Sequence, residues 1–139
     1  MKKYIVIIAL FALGITSTHA QSTVDTHTLT MTITDLSSTD GKVGVRLLNT
    51  EEKTVKQQWF SLETTTLEAV FIDVPTGTYA IQFFHDENNN DEMDFAWYGA
   101  PKEGYGNSNN VQGFFGPPEF VKQLFELSSD KSIHMKTID

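Results

Sequence analysis

The stretch TYAIQFFHDENNNDEMD, residues 78–94, changes character halfway along. Up to Phe84 it is apolar and aromatic, the composition of a strand. From His85 to Asp94, five of ten residues are acidic and three more are consecutive asparagines. A tight turn, VPTG (74–77), stands immediately before it, with Pro and Gly where a hairpin needs them. A strand entered from a turn and left through a charged loop is the punctuation of an all-β chain.

The same period-two pattern extends on both sides. HTLTMTIT (27–34) alternates Leu29, Met31 and Ile33 against threonines, as a half-buried strand does. SSTDG (37–41) is a turn cluster. KVGVRLLN (42–49) places Val43, Val45 and Leu47 on one face, and TVKQQWF (54–60) is a weaker strand suited to a sheet edge. TLEAVFIDV (66–74) is apolar on both faces. QLFEL (123–127) and SIHMKTI (132–138) close the pattern, although FVKQLF (120–125) also fits a helical turn. About seven short strands joined by turns predict a single antiparallel β-sandwich. Tyr79, just after Gly77, is placed for a tyrosine corner, in which a phenol hydroxyl bonds back to the backbone beside a turn.

Residues 85–118 break the pattern. They are rich in Asn, Gly, Pro and aromatic residues and show no period. An irregular loop of this length in a compact domain usually serves a function or a ligand. It holds Trp97, Tyr98, Tyr105, Phe114 and Phe115, which with His85 form a candidate binding face. Core aromatics would follow the strand alternation, and these do not.

The N-terminus, MKKYIVIIALFALGITSTHA, has a basic start, an apolar run from Tyr4 to Leu13, and small residues ending at Ala20. That is the pattern of a secretory signal peptide cut after Ala20, and the apolar run is too short for a membrane span. Residues 21–139 then form one domain, exported to the periplasm or beyond the cell, with no transmembrane segment. The chain has no cysteine, so no disulfide framework supports it. The whole chain carries net −8, and residues 1–20 hold two lysines and no acid, which leaves −10. So acidic a domain is a poor partner for nucleic acid.

Asp86, Asn88, Asn90, Glu92 and Asp94 occupy alternate positions of the loop. Calcium takes about six to eight oxygen ligands, and a loop folded round the ion supplies them from such positions. Asp86, Asn88 and Asn90 would use side chains, Glu92 its carbonyl, and Asp94 a carboxylate or a bridging water. The position that carries the glycine of an EF-hand loop is Asp91, and Trp97 stands where its bidentate Glu would be. Glu103, in PKEGYG, is the candidate for the missing carboxylate. The alternatives are a solvated acidic turn and a harder cation such as magnesium. His85 has no second His or Cys nearby, which argues against zinc. It is expected to end the strand and bond a carboxylate or the backbone.

GTYAIQFFHDENNNDEMD, YGAPKEGYGNSNN and GPPEF together resemble the hallmarks of a bacterial family, the domain-of-unknown-function 2141 family. Its members are small exported proteins with an HDxNxNxxxD loop, a G-x-P-x-E-G-x-G-x-S-N segment and a GPP-F segment. The resemblance spans roughly residues 28–138. It implies a transthyretin- or prealbumin-type sandwich and no established activity. The matching positions are His85, Asp86, Asn88, Asn90 and Asp94, then Gly99, Pro101, Glu103, Gly104, Gly106, Ser108 and Asn109. Asp91 stands where the family usually has Gly, and Asn107 where it often has Phe.

The functional expectation is an exported binding or accessory module with a calcium-ordered loop, partnering an envelope glycan or protein. One alternative is a hydrolase using paired carboxylates or a metal-activated water. It lacks a nucleophile motif such as G-x-S-x-G or a zinc motif such as H-E-x-x-H. The other alternative is a purely structural envelope protein.

Overall fold

A computed structural model describes residues 24–139, so the expected signal peptide and its cleavage site lie outside the described residues. Eight strands and one helical turn follow in order: β1 Thr26–Thr34, β2 Lys42–Leu48, β3 Thr54–Ser61, β4 Leu67–Pro75, β5 Gly77–Asp86, β6 Tyr105–Asn107, α1 Phe120–Gln123, β7 Phe125–Leu127 and β8 Lys131–Lys136. They form two sheets. One is three-stranded in the order β4-β1-β8, and the other runs β3-β2-β5-β6, with β7 also paired to β5.

The fold is the expected all-β sandwich. Leu29, Met31 and Ile33 of β1 meet Val43, Val45 and Leu47 of β2 and Ile81 and Phe83 of β5 in one buried cluster. Alternation along each strand is the reason: every second residue faces the opposite sheet. In β4 it sends Leu67, Ala69 and Phe71 inward and leaves Val70 and Ile72 exposed; a bulge at Asp73, with φ 55°, then shifts the phase and turns Val74 inward as well. One pair departs from the antiparallel expectation. β8 returns to lie parallel to β1, from Leu29↔Lys131 to Thr34↔Lys136.

The expected tyrosine corner is present, with Tyr79 Oη donating to the Pro75 carbonyl at 2.9 Å. β5 continues two residues beyond the expected strand, to Asp86, because β2 pairs with it up to Lys42↔Asp86. The segment FVKQLF is both things the sequence allowed, a helical turn through Gln123 and then β7.

The free edge of β5 is divided between β6 and β7. Ser108 fills the gap. Its N–H donates to the Ile81 carbonyl at 3.0 Å, and its Oγ accepts from the Ile81 N–H at 3.2 Å. The same hydroxyl donates to the Gln123 carbonyl at 2.5 Å. One residue, through its backbone N–H and its hydroxyl, thus replaces a missing strand partner and leaves neither backbone group of Ile81 unpaired.

Candidate functional site

The acidic loop is built on two buried carboxylates. Asp86, fully buried, accepts from the Asn90 N–H at Oδ1 and the Asp91 N–H at Oδ2, both at 3.0 Å. Glu103, 7 % exposed, accepts from the Glu87 N–H at 3.2 Å and the Asp94 N–H at 3.1 Å. It therefore ties the start of the loop to its end. Charge-assisted bonds of this kind are stronger than neutral ones. Asn89 and Asp91 both take left-handed φ, 59° and 67°. Asn and Asp tolerate that region better than other side chains, which lets Asp91 occupy a position suited to glycine.

Between these anchors, Asn88, Asn90 and Asp94 come together. Asn88 Nδ2 donates to Asp94 Oδ2 at 2.6 Å, and Asn90 Nδ2 reaches both Asp94 oxygens at 3.3 Å. Asn88 Oδ1 accepts from the Asn90 N–H, and Asn90 Oδ1 from the Glu92 N–H. Among the described residues, no three His, Asp or Glu side chains converge as a ready metal cluster. A cation here must draw on the amide oxygens. Glu92 is exposed, and its N–H is the group the loop uses.

Lys42 is the loop's own counter-charge. Its ammonium bonds Asp91 and lies 3.7 Å from Asp86 Oδ2. The Asp91 hydrogen bond raises the Lys42 pKa above its ordinary value, against a smaller opposing effect of burial. His85 is fully buried and lies on no exposed face. Its Nε2 is 2.7 Å from the Asp40 carbonyl, which can only accept, so Nε2 carries a proton. Nδ1 has no hydrogen-bond partner, and Glu87 Oε1 stands 3.4 Å away.

The loop does more than cap a strand. It folds over the outer face of the β3-β2-β5-β6 sheet and encloses a cleft of about 960 Å³. The sheet forms the floor, and Asp91, Met93 and Phe95 belong to one wall. Pro117 and Pro118 stand on the lining as well.

The floor has two rows across the strands. Trp59, Gly44, Phe84 and Tyr105 are successive cross-strand partners, and so are Gln57, Arg46, Gln82 and Asn107. The first row is aromatic. Trp59 meets Phe84 edge to face at 5.5 Å, and the Lys42 ammonium lies 4.6 Å from the Trp59 ring centroid. The second row is polar and partly linked: Arg46 Nη2 donates to Gln82 Oε1 at 2.6 Å, and Gln82 Nε2 to Gln123 Oε1 at 2.9 Å.

Of the aromatics expected on a binding face, Tyr98 and Tyr105 line this cleft. Trp97, Phe114 and Phe115 do not, and stand 96 %, 93 % and 97 % exposed on loop tips. They do not cap the sandwich. Sequence reasoning missed Arg46, Gln57, Trp59, Gln82 and Phe84. The signal was available: strand alternation puts each on the face opposite the core, where large aromatics have no packing reason to be.

The chain matches the family model for uncharacterized proteins conserved in bacteria (DUF2141) over residues 31–135 and belongs to that family. No curated protein and no solved structure matches it. Among the described residues, no helix is long and apolar enough to cross a membrane.

Proposed function

We propose that this DUF2141 protein is an exported, non-enzymatic binding module in which calcium orders the acidic loop and the loop in turn shapes the cleft. The observation that carries the reading is continuity of the chain. Asp91 lies in the acidic turn, Met93 and Phe95 flank its end at Asp94, and all three line the cleft. Whatever fixes the turn fixes that wall. Export rests on the basic start and apolar run that precede Ala20.

The residue types suit calcium, which takes oxygen ligands: Asn88 and Asn90 each carry an amide oxygen, and both stand beside the Asp94 carboxylate, which they contact through Nδ2. Asp94 and the two amide oxygens would hold the ion, with Asp86 and Glu103 as further carboxylates and Glu92 through its carbonyl. Bound calcium would neutralise the repulsion among these acids and hold the turn rigid. A preorganised wall loses less entropy when a ligand binds.

The experiment is a melting curve in calcium and in chelator, together with amide exchange at Met93 and Phe95. At 100 times the dissociation constant, calcium should add about 2.7 kcal/mol. Exchange at the two wall residues should slow in step. Identical curves in calcium and chelator would sink the calcium reading.

A further inference from the structure

From the cleft just described, and resting on the reading of it as a binding site, we infer its ligand class: a carboxylate carried on a ring with an apolar face. Arg46 is the one arginine in the chain. It stands exposed on the cleft floor. Among the described residues it pairs with no carboxylate, although the chain has 18 Asp and Glu. Its one side-chain hydrogen bond there is Nη2 to Gln82 Oε1, and Gln82 is held from its other end by Gln123. The guanidinium is thus positioned by a neutral partner and keeps most of its five donors. That is the fork that takes a carboxylate through two parallel bonds.

The residues around it agree. Asp91, the carboxylate on the cleft lining, is taken by Lys42. More distant acids are screened beyond about 8 Å at physiological ionic strength. Gln57 sits across the strand from Arg46, exposed, and offers both an amide donor and an acceptor. The aromatic row lies two residues along β2 from Arg46, roughly 7 Å away. A ring seated in the angle between Trp59 and Phe84, face against one and edge against the other, would therefore bring an attached carboxylate to Arg46. Two ligand types share this chemistry: a uronic acid sugar, whose C–H face is apolar, and an aryl carboxylate.

The test compares trigalacturonate, its neutral methyl ester and benzoate, by isothermal titration and by side-chain NMR of Arg46 Nε and Trp59 Nε1. Trigalacturonate should shift both resonances and bind at least tenfold more tightly than the ester. Arg46→Gln should erase that preference, and Trp59→Ala should weaken both sugars. Benzoate displacing the sugar at comparable concentration identifies an aryl ring as the ligand feature; failure to displace it identifies the uronate. Equal binding of acid and ester, unchanged in Arg46→Gln, overturns the carboxylate inference and leaves the cleft as a binding site. No shift at either resonance with any probe overturns it too, while calcium ordering of the loop stands or falls on its own melting curve.

Discussion

A Cβ on Gly44 would stand 2.7 Å from Cζ3 of Trp59, closer than atoms can approach. The indole lies directly on the bare backbone of the neighbouring strand, and the aromatic floor of the cleft exists because residue 44 has no side chain. Gly44→Ala should displace Trp59 and cost about 1–3 kcal/mol by overpacking. The low end is expected, since Trp59 is only half-buried at a sheet edge. Fluorescence in a Trp97→Phe background checks it: the Trp59 emission should shift red. An unchanged spectrum and melting temperature would mean the ring does not rest there.

Asp86 and Asp94 should differ in what they do without the ion. Asp86→Ala strips the acceptor from two loop amides and should lower the melting temperature by several degrees even in chelator, a loss of about 1–3 kcal/mol. Asp94→Ala should cost little in chelator but remove the calcium-dependent gain. Equal behaviour of the two variants would contradict this division.

Glu103 ties Glu87 to Asp94, so its loss should be local. In Glu103→Ala, amide exchange at those two residues should accelerate by at least tenfold, a change of about 1.4 kcal/mol in opening free energy. Glu103→Gln keeps one accepting oxygen and should restore part of the protection. Exchange that stays slow in Glu103→Ala would show that other contacts close the loop.

Lys42 sets a pH window. Its folded pKa is raised by Asp91, so its contribution is complete below the ordinary value of 10.5 and lost as pH rises through the higher folded value. The stability difference between the parent and Lys42→Met should be flat from about pH 7 to 10 and shrink above that. A difference that disappears already near pH 8 would assign the effect to another group.

Trp97, Phe114 and Phe115 stand almost wholly in solvent. Replacing any of them by Ala should change stability by less than about 0.5 kcal/mol, against about 3–5 for a core aromatic. Chemical denaturation of the three variants checks it. A core-sized loss in one would place that ring against the sandwich.

The sequence by itself determined the sandwich and the position of its loop. Leu29, Met31 and Ile33, like Val43, Val45 and Leu47, read correctly because strand alternation is a local property: neighbouring side chains must point to opposite faces whatever the rest of the chain does. The Tyr79 corner was legible for the same reason, but the hairpin expected at 74–77 does not form: β4 pairs with β1 and β5 with β2, so the chain crosses between the sheets there. The parallel return of β8 beside β1, the insertion of Ser108 into the β5 ladder, and the joining of Gln82 to Gln123 are long-range pairings, and no local pattern records them. The cleft belongs with these. Arg46, Trp59 and Phe84 come from three strands, and only the register of those strands, with the loop folded across them, brings their outward faces together. His85 shows the same limit from the other side. Its neighbours in sequence are charged, but the Asp40 carbonyl and the packed sheet enclose it, so its burial was decided by residues far along the chain.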